Sequence, residues 1–169
     1  IDSVAAKDTV IELSKMMRYV LYDSENAHTN LLQEVRFVEN YIALMRIRYM
    51  SDVDVRFNVQ NPLPMDAKVP PLLMIVFVEN AFKHGVSYNK PSYIYIDLWC
   101  DDKHIICQVK NSRHNKPATS ESTEKSSGMG LENMRKRLDL LFGDEYTLLI
   151  DDTKQEQYIV KLTIPISND

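Results

Sequence analysis

Two strand patterns near the middle of the chain constrain its fold more than any other feature. The segments "YIYIDLW" and "HIICQVK" alternate apolar and polar residues, and they flank Asp101 and Asp102. This separation and chemistry suit a tight β-hairpin, in which the strands run antiparallel. The hairpin argues against a doubly wound parallel sheet and favours a mixed sheet.

Two helices are predicted before the first strand. The first carries apolar residues at helical spacing, namely Val10, Leu13, Met17, Val20 and Leu21. Asn30 and Gln33 then resemble a capping box, and the second helix runs to about Tyr49. Its apolar face consists of Leu31, Val35, Val38, Ile42 and Met45. The alternating segment "VDVRFNV" follows and predicts a strand with one buried face.

Two more helices are predicted further along. Pro70 and Pro71 suit the opening turn of the third helix, and Gly85 suits a left-handed residue just beyond its end. The segment "SGMGLENMRKRLDLLFG" predicts a fourth helix that closes at Gly143. Two final strands are expected near residues 146–150 and 158–164. The pattern as a whole predicts an α+β fold, with a mixed sheet and helices on one face.

Composition excludes several classes of function. The 169 residues include 20 Lys and Arg against 24 Asp and Glu, so no overall positive field favours nucleic acid or an anionic membrane. No apolar run reaches the roughly 20 residues that a membrane helix needs, and no signal peptide is visible. Two cysteines, Cys100 and Cys107, make neither a disulfide framework nor a metal-ligand cluster, so we expect a globular unit in a reducing, cytoplasmic setting. The chain begins inside a helical pattern without an initiator Met, as a piece of a longer protein would.

The end of the third helix carries the polar residues that point to chemistry. Asn80, Lys83 and His84 share one helical face at positions i, i+3 and i+4, with Glu79 beside Asn80. An amide oxygen suits Mg²⁺, whereas Lys and His suit phosphate oxygens, so the set is typical of a Mg²⁺-polyphosphate site. Alternatively, Lys83 and His84 only complement the helix dipole, and Glu79 pairs with Lys83.

A second motif favours the phosphate site. "GMGL" follows the long polar segment "SRHNKPATSESTEKSS", which we interpret as a mobile lid, and it opens the fourth helix. Unpaired N–H groups at a helix start bind anions, and Gly128 and Gly130 let a phosphate approach closely.

These motifs resemble the ATP-binding region of sensor histidine kinases. "VENAFKHG" is similar to their N box and "SGMGLENMRKRL" to their glycine box, while "LSKMMRYVL" and "LLQEVRFVENYIALMRIRY" resemble the LytS-like subfamily. The resemblance implies a Bergerat ATPase fold, a two-layer α/β sandwich preceded by a long N-terminal helix. It also implies that residues 1–26 form the second helix of a dimerisation and phosphotransfer hairpin, and residues 27–169 the ATP-binding domain.

The resemblance assigns roles to individual residues. Asn80 would coordinate Mg²⁺, Lys83 and His84 would contact phosphate, and Glu79 would be the activating, catalytic carboxylate. The nucleotide would also contact Gly128, Gly130 and Leu131. The family's adenine-binding Asp is replaced by Asn111 in "VKNSRHN", whose carbonyl can still accept the adenine amino hydrogen bond, without charge assistance.

The implied function is transfer of the γ-phosphoryl group of ATP, with Mg²⁺, to a histidine and then to a response-regulator receiver domain. The acceptor motif of the subfamily is absent here, so this piece is not expected to phosphorylate itself. The resemblance implies a dimeric parent in the membrane, with this part in the cytoplasm and in contact with neither membrane nor nucleic acid. Two alternatives stay open: a nucleotide-sensing interaction module without phosphoryl transfer, and an ATPase of the gyrase or Hsp90 kind.

Overall fold

The computed structural model describes residues 3–23, 26–49, 53–60, 62–114 and 124–167. The helices are α1 (Ser3–Arg18), α2 (Leu31–Tyr49), α3 (Ile75–Gly85) and α4 (Glu124–Phe142), and one π-helical turn (Tyr19–Asp23) continues α1. The strands are β1 (Thr29–Asn30), β2 (Val53–Val59), β3 (Lys68–Val69), β4 (Ser92–Cys100), β5 (His104–Ser112), β6 (Thr147–Asp151) and β7 (Gln157–Pro165). The chain divides into two compact units.

The first unit comprises the described parts of residues 1–51, 64–75 and 167–169. It contains α1, α2 and the short antiparallel pair of β1 and β3. The predicted cap of α2 is confirmed, because the N–H of Gln33 donates to Oδ1 of Asn30 at 3.0 Å. The predicted apolar face is also correct: Met45 is half-buried, and the other members, Leu31, Val35, Val38 and Ile42, are buried.

The second unit, residues 52–63 and 76–166, is built on a five-stranded sheet in the order β2-β4-β5-β7-β6. Strands β2 and β4 are parallel, whereas every other neighbouring pair is antiparallel, so the sheet is mixed as predicted. The predicted hairpin joins β4 to β5. Oδ1 of Asp101 accepts the N–H groups of Lys103 and His104 at 2.8 and 2.7 Å, which stabilises the turn.

The two faces of this sheet differ in character. One face is apolar, with Ile94, Ile96 and Leu98 of β4 at most 1% exposed, and the buried faces of α3 and α4 complete the core of the unit. The other face carries exposed polar contacts, such as the ion pair of Arg56 with Asp54 at 2.7 Å. The α+β class with helices beside a mixed sheet is therefore confirmed.

The structure corrects the predicted starts of two helices. Helix α3 begins at Ile75 and not at Pro70 and Pro71. The residues between Pro71 and Ile75 form a turn instead, in which Leu72 has a φ of 57°. Helix α4 begins at Glu124, since Glu and Lys are good helix formers and extend the helix before its glycines. Gly128 and Gly130 consequently lie inside the helix rather than at its start.

The predicted helix ends at Gly85 and Gly143, and the predicted lid, can also be compared with the structure. The expected left-handed conformation of Gly85 is wrong, because only Gly143, which follows α4, has a positive φ (55°) among the described glycines. Gly143 thus ends its helix as predicted. Most of the predicted lid, residues 115–123, lies outside the described residues.

Candidate functional site

The predicted polar face is present on α3. This helix spans Ile75–Gly85, so Asn80, Lys83 and His84 lie on one face as the spacing predicts. Glu79 and Lys83 are exposed, while Asn80 and His84 are half-buried. The opposite face is apolar and buried through Phe77, Val78, Ala81 and Phe82. The helix therefore anchors itself by one face and presents polar groups on the other.

The simpler interpretation of this face as an ion pair does not hold. Within the described part of the chain, no ion pair joins Glu79 to Lys83, although their spacing would allow one. The carboxylate of Glu79 and the ammonium of Lys83 both extend into solvent. Each is accessible to a ligand.

The end of α3 lies very close to β5. A Cβ atom added to Gly85 would stand 2.8 Å from both Cβ and Nδ2 of Asn111, closer than real side chains approach one another. Both residues are buried. A glycine is therefore needed here for close packing, and not for a left-handed backbone.

Ser112 connects the end of α3 to the sheet, a role that the sequence pattern did not predict. Its hydroxyl donates to the carbonyl oxygen of Gly85 at 2.6 Å and accepts the N–H of Tyr93 at 3.1 Å. One hydroxyl thereby satisfies a carbonyl at the helix end and binds it to the sheet. The only sequence signal was a serine directly after Asn111 at the end of a strand pattern.

The segment after α3 is also held by contacts of a serine hydroxyl. Oγ of Ser92 accepts the N–H of Ser87 at 3.0 Å and lies 3.0 Å from Nε2 of His114. His114 belongs to the segment that the sequence predicts to be a mobile lid, but this half-buried histidine is held beside the start of β4.

Asn111 presents an unused acceptor at this junction. Its side chain is 3% exposed, and its Nδ2 donates to the carbonyl oxygen of Ser112 at 2.8 Å. No donor among the described residues reaches its Oδ1. A buried acceptor without a donor costs free energy, so such atoms in proteins usually serve a ligand or a water molecule. The expected partner, the amino group of adenine, fits this atom chemically.

The remaining residues that are predicted to contact the nucleotide lie on α4. Gly128, Gly130 and Leu131 lie in its first two to three turns, and a Cβ at Gly130 would meet no atom within 4 Å. Leu131 is half-buried. The structure brings Asn111 next to the end of α3, and among the described residues no hydrogen bond joins Gly130 or Leu131 to that helix.

The described residues offer few ligands for a metal ion. In the described ranges, no cluster of three His, Cys, Asp or Glu side chains could hold a metal ion. The half-buried amide of Asn80 fits Mg²⁺ in the manner of nucleotide enzymes, where one or two protein oxygens act together with substrate phosphates.

Comparisons with known proteins agree with these motifs. A family model described as histidine kinase matches residues 1–53. The sensor protein LytS of Staphylococcus saprophyticus is 32% identical over 177 aligned residues, which cover 99% of this chain and 30% of that protein. The resemblance to LytS-like sensor histidine kinases is confirmed. The sensor histidine kinase/phosphatase LytS of Staphylococcus aureus is 31% identical over 163 residues, 90% of this chain and 28% of the relative.

Solved structures agree with the fold. The catalytic domain of histidine kinase ThkA, in a nucleotide-free form, superimposes with a TM-score of 0.59 at 19% identity, covering 84% of this chain and 97% of that one. The histidine kinase domain of a blue-light activated kinase from Erythrobacter litoralis gives 0.59 at 14% identity, covering 96% and 83%. This chain thus has the fold of histidine kinase catalytic domains.

The chain matches only one part of the LytS relatives. The chain spans less than a third of the length of the LytS relatives described above. Across the described residues, none of the helices combines the length and apolar character that crossing a membrane requires.

Proposed function

We propose that this chain is the ATP-binding catalytic part of a two-component sensor histidine kinase. Residues 1–26 would be the second helix of its phosphotransfer hairpin, and residues 27–169 its ATP-binding domain. The observation that carries this proposal is the buried, unused Oδ1 of Asn111, held against the end of the helix that presents Asn80 and Glu79. An acceptor for a base and ligands for phosphate and Mg²⁺ are the two halves of a nucleotide site.

Each predicted residue has a role in this proposal. Oδ1 of Asn111 accepts a hydrogen bond from the adenine amino group. Asn80 coordinates Mg²⁺, and Lys83 and His84 donate to phosphate oxygens. Gly128, Gly130 and Leu131 contact the nucleotide from α4.

Glu79 is the proposed catalytic residue. Its exposed carboxylate accepts or orients the proton of the attacking histidine as the γ-phosphoryl group transfers and ADP leaves. The acceptor histidine would belong to a segment outside this chain. A receiver domain takes the phosphoryl group next, and this use of ATP places the region in the cytoplasm.

Phosphoryl transfer can be tested by complementation. The chain is mixed with Mg²⁺-ATP and a protein that carries the acceptor helix of a LytS relative, and acid-labile phosphate on histidine is measured. We expect transfer that depends on Mg²⁺ and falls at least about a hundredfold in Glu79→Gln, as loss of general-base catalysis implies. Glu145→Gln, an exposed glutamate between α4 and β6, is the matched control.

The two alternatives predict other results in the same assay. Nucleotide binding without any transfer would favour an interaction module. Steady ATP hydrolysis without acceptor, abolished by Glu79→Ala, would favour an ATPase of the gyrase or Hsp90 kind.

Dimerisation through α1 is a further part of the proposal. The predicted apolar face of this helix is exposed in the single chain, with Val10, Leu13, Met17 and Val20 at 62, 48, 55 and 43%. Apolar residues at this spacing are typical of a helical bundle, in which a second copy covers them.

Met17→Glu is therefore expected to weaken self-association at least about tenfold, because it places a charge in an apolar interface. Sedimentation velocity over a range of concentrations measures this change. Leu140→Glu, at an 88% exposed position on α4, is the control and is expected to leave association unchanged. A wild-type chain that stays monomeric at high concentration contradicts the assignment.

A further inference from the structure

A buried carboxylate in α2 connects three segments of the first unit. Glu34 is 1% exposed. Its Oε1 accepts the hydroxyl of Tyr19 at 2.5 Å and the N–H of Leu72 at 2.7 Å. Its Oε2 accepts the N–H groups of Leu73 and Met74 at 3.0 and 3.3 Å. A carboxylate is buried at this cost only where such donors surround it.

The backbone before α3 is shaped around this carboxylate. Leu72 has a φ of 57°, a left-handed conformation that is unfavourable for leucine. It turns successive N–H groups toward one point, which forms an anion-binding concavity of the kind called a nest. Met74 directly precedes Ile75, the first residue of α3. The carboxylate thus fixes the place where the helix of the nucleotide site begins.

The fourth donor comes from a different segment. Tyr19 is 6% exposed and lies in the π-helical turn that continues α1, with its ring 4.8 Å from that of Phe37. Such turns are frequent where a helix carries function. Because its hydroxyl and the N–H of Leu72 share one oxygen, displacement of Tyr19 changes the hydrogen bonding of the nest directly.

We propose that Tyr19 and Glu34 are positioning residues that couple the end of α1 to the start of α3. The hydroxyl of Tyr19 orients the carboxylate, and the carboxylate holds the backbone of residues 72–74. Withdrawal of the hydroxyl loosens this backbone and the first turn of α3, which precedes Asn80. The inference rests on the proposed function only where nucleotide affinity is concerned, because the coupling itself is a property of the fold.

Tyr19→Phe tests the coupling, since it removes the hydroxyl and keeps the ring. Amide hydrogen exchange is followed by nuclear magnetic resonance in the full chain. We expect exchange at Leu72 and Leu73 to accelerate at least about tenfold, as loss of a hydrogen bond to a charged group implies. Exchange at Glu79 and Asn80 should accelerate several-fold, while the sheet amides of Ile96 and Leu98 keep their rates.

Tyr146→Phe is the matched control. Tyr146 also donates to a carboxylate, Oδ1 of Asp139 at 2.6 Å, but in the second unit and on the exposed surface. This variant should leave exchange at residues 72–74 unchanged. Unchanged exchange in Tyr19→Phe overturns the proposal, as does acceleration that stops at residue 74 or extends equally to the sheet.

Nucleotide affinity gives a second readout that a purely structural hydrogen bond would not move. The Kd for an ATP analogue with Mg²⁺ should rise about threefold to tenfold in Tyr19→Phe, at a temperature where both proteins stay folded, because the loosened helix must be ordered again on binding. If Tyr19→Phe accelerates exchange at Asn80 but leaves the Kd unchanged, the coupling does not affect nucleotide binding, and that part of the proposal is wrong. A wild-type chain that binds no nucleotide overturns the proposed function instead, and the exchange rates then decide the coupling alone.

Discussion

Replacing Asn80 with alanine is expected to raise the Kd for a non-hydrolysable ATP analogue with Mg²⁺ at least about tenfold, and to leave the Kd without Mg²⁺ unchanged. The side chain is half-buried on the exposed face of α3, where its oxygen is a suitable Mg²⁺ ligand. Loss of a contact to a charged group costs roughly 1.5–3 kcal/mol, which corresponds to this change. Calorimetric titration with and without a chelator measures both values.

The comparison with and without Mg²⁺ makes this experiment specific. A variant that merely disturbed α3 would lose affinity equally under both conditions, and that result would argue against Asn80 as the metal ligand. Asn58→Ala is the matched control, because the Asn58 side chain donates to Asp97 at 2.8 Å on the exposed face of the sheet. The control should bind the analogue as the wild-type chain does.

Gly85→Ala is expected to lower the free energy of unfolding by about 1–3 kcal/mol, the usual cost of overpacking. The new Cβ would meet the side chain of Asn111 at 2.8 Å, so either the end of α3 or the asparagine must move. Either movement disturbs the bond from Ser112 to the carbonyl oxygen of Gly85. The proposed adenine acceptor moves as well, so nucleotide affinity should fall together with stability. Denaturant unfolding and titration of the same preparation measure both effects.

Gly130→Ala is the control for stability. A Cβ at Gly130 meets no atom within 4 Å, and the residue lies inside α4. Because glycine inside a helix is less stable than alanine, this variant should be more stable by about 0.5–1 kcal/mol. Equal destabilisation by both substitutions would show that the close approach of Gly85 to Asn111 does not determine the effect.

The sequence predicted the features that depend on local patterns. Alternation found β2, β4 and β5, helical spacing found the buried face of α2, and Asn30 with Gln33 marked where that helix starts. The hairpin at Asp101 and the polar face at Asn80 were also foreseeable. Each of these features follows from residues that are close together in the chain.

Features that depend on distant contacts were not predictable in this way. Pro70 and Pro71 suit a helix start, but the carboxylate of Glu34, 38 residues before Leu72, takes up the N–H groups of the intervening turn. Gly85 suits a left-handed helix end, yet its requirement for glycine comes from Asn111 on β5. Local propensity could not show either partner, because tertiary contacts decide the outcome.

The position of β5 has a consequence for inhibitor design. This strand is third of the five, with β4 on one side and β7 on the other, and Asn111 is paired with Ile94 and Tyr158 across both ladders. The acceptor Oδ1 of Asn111 is consequently held in place before any compound arrives. When a small molecule donates an N–H group to this atom, little binding free energy is lost in ordering the protein.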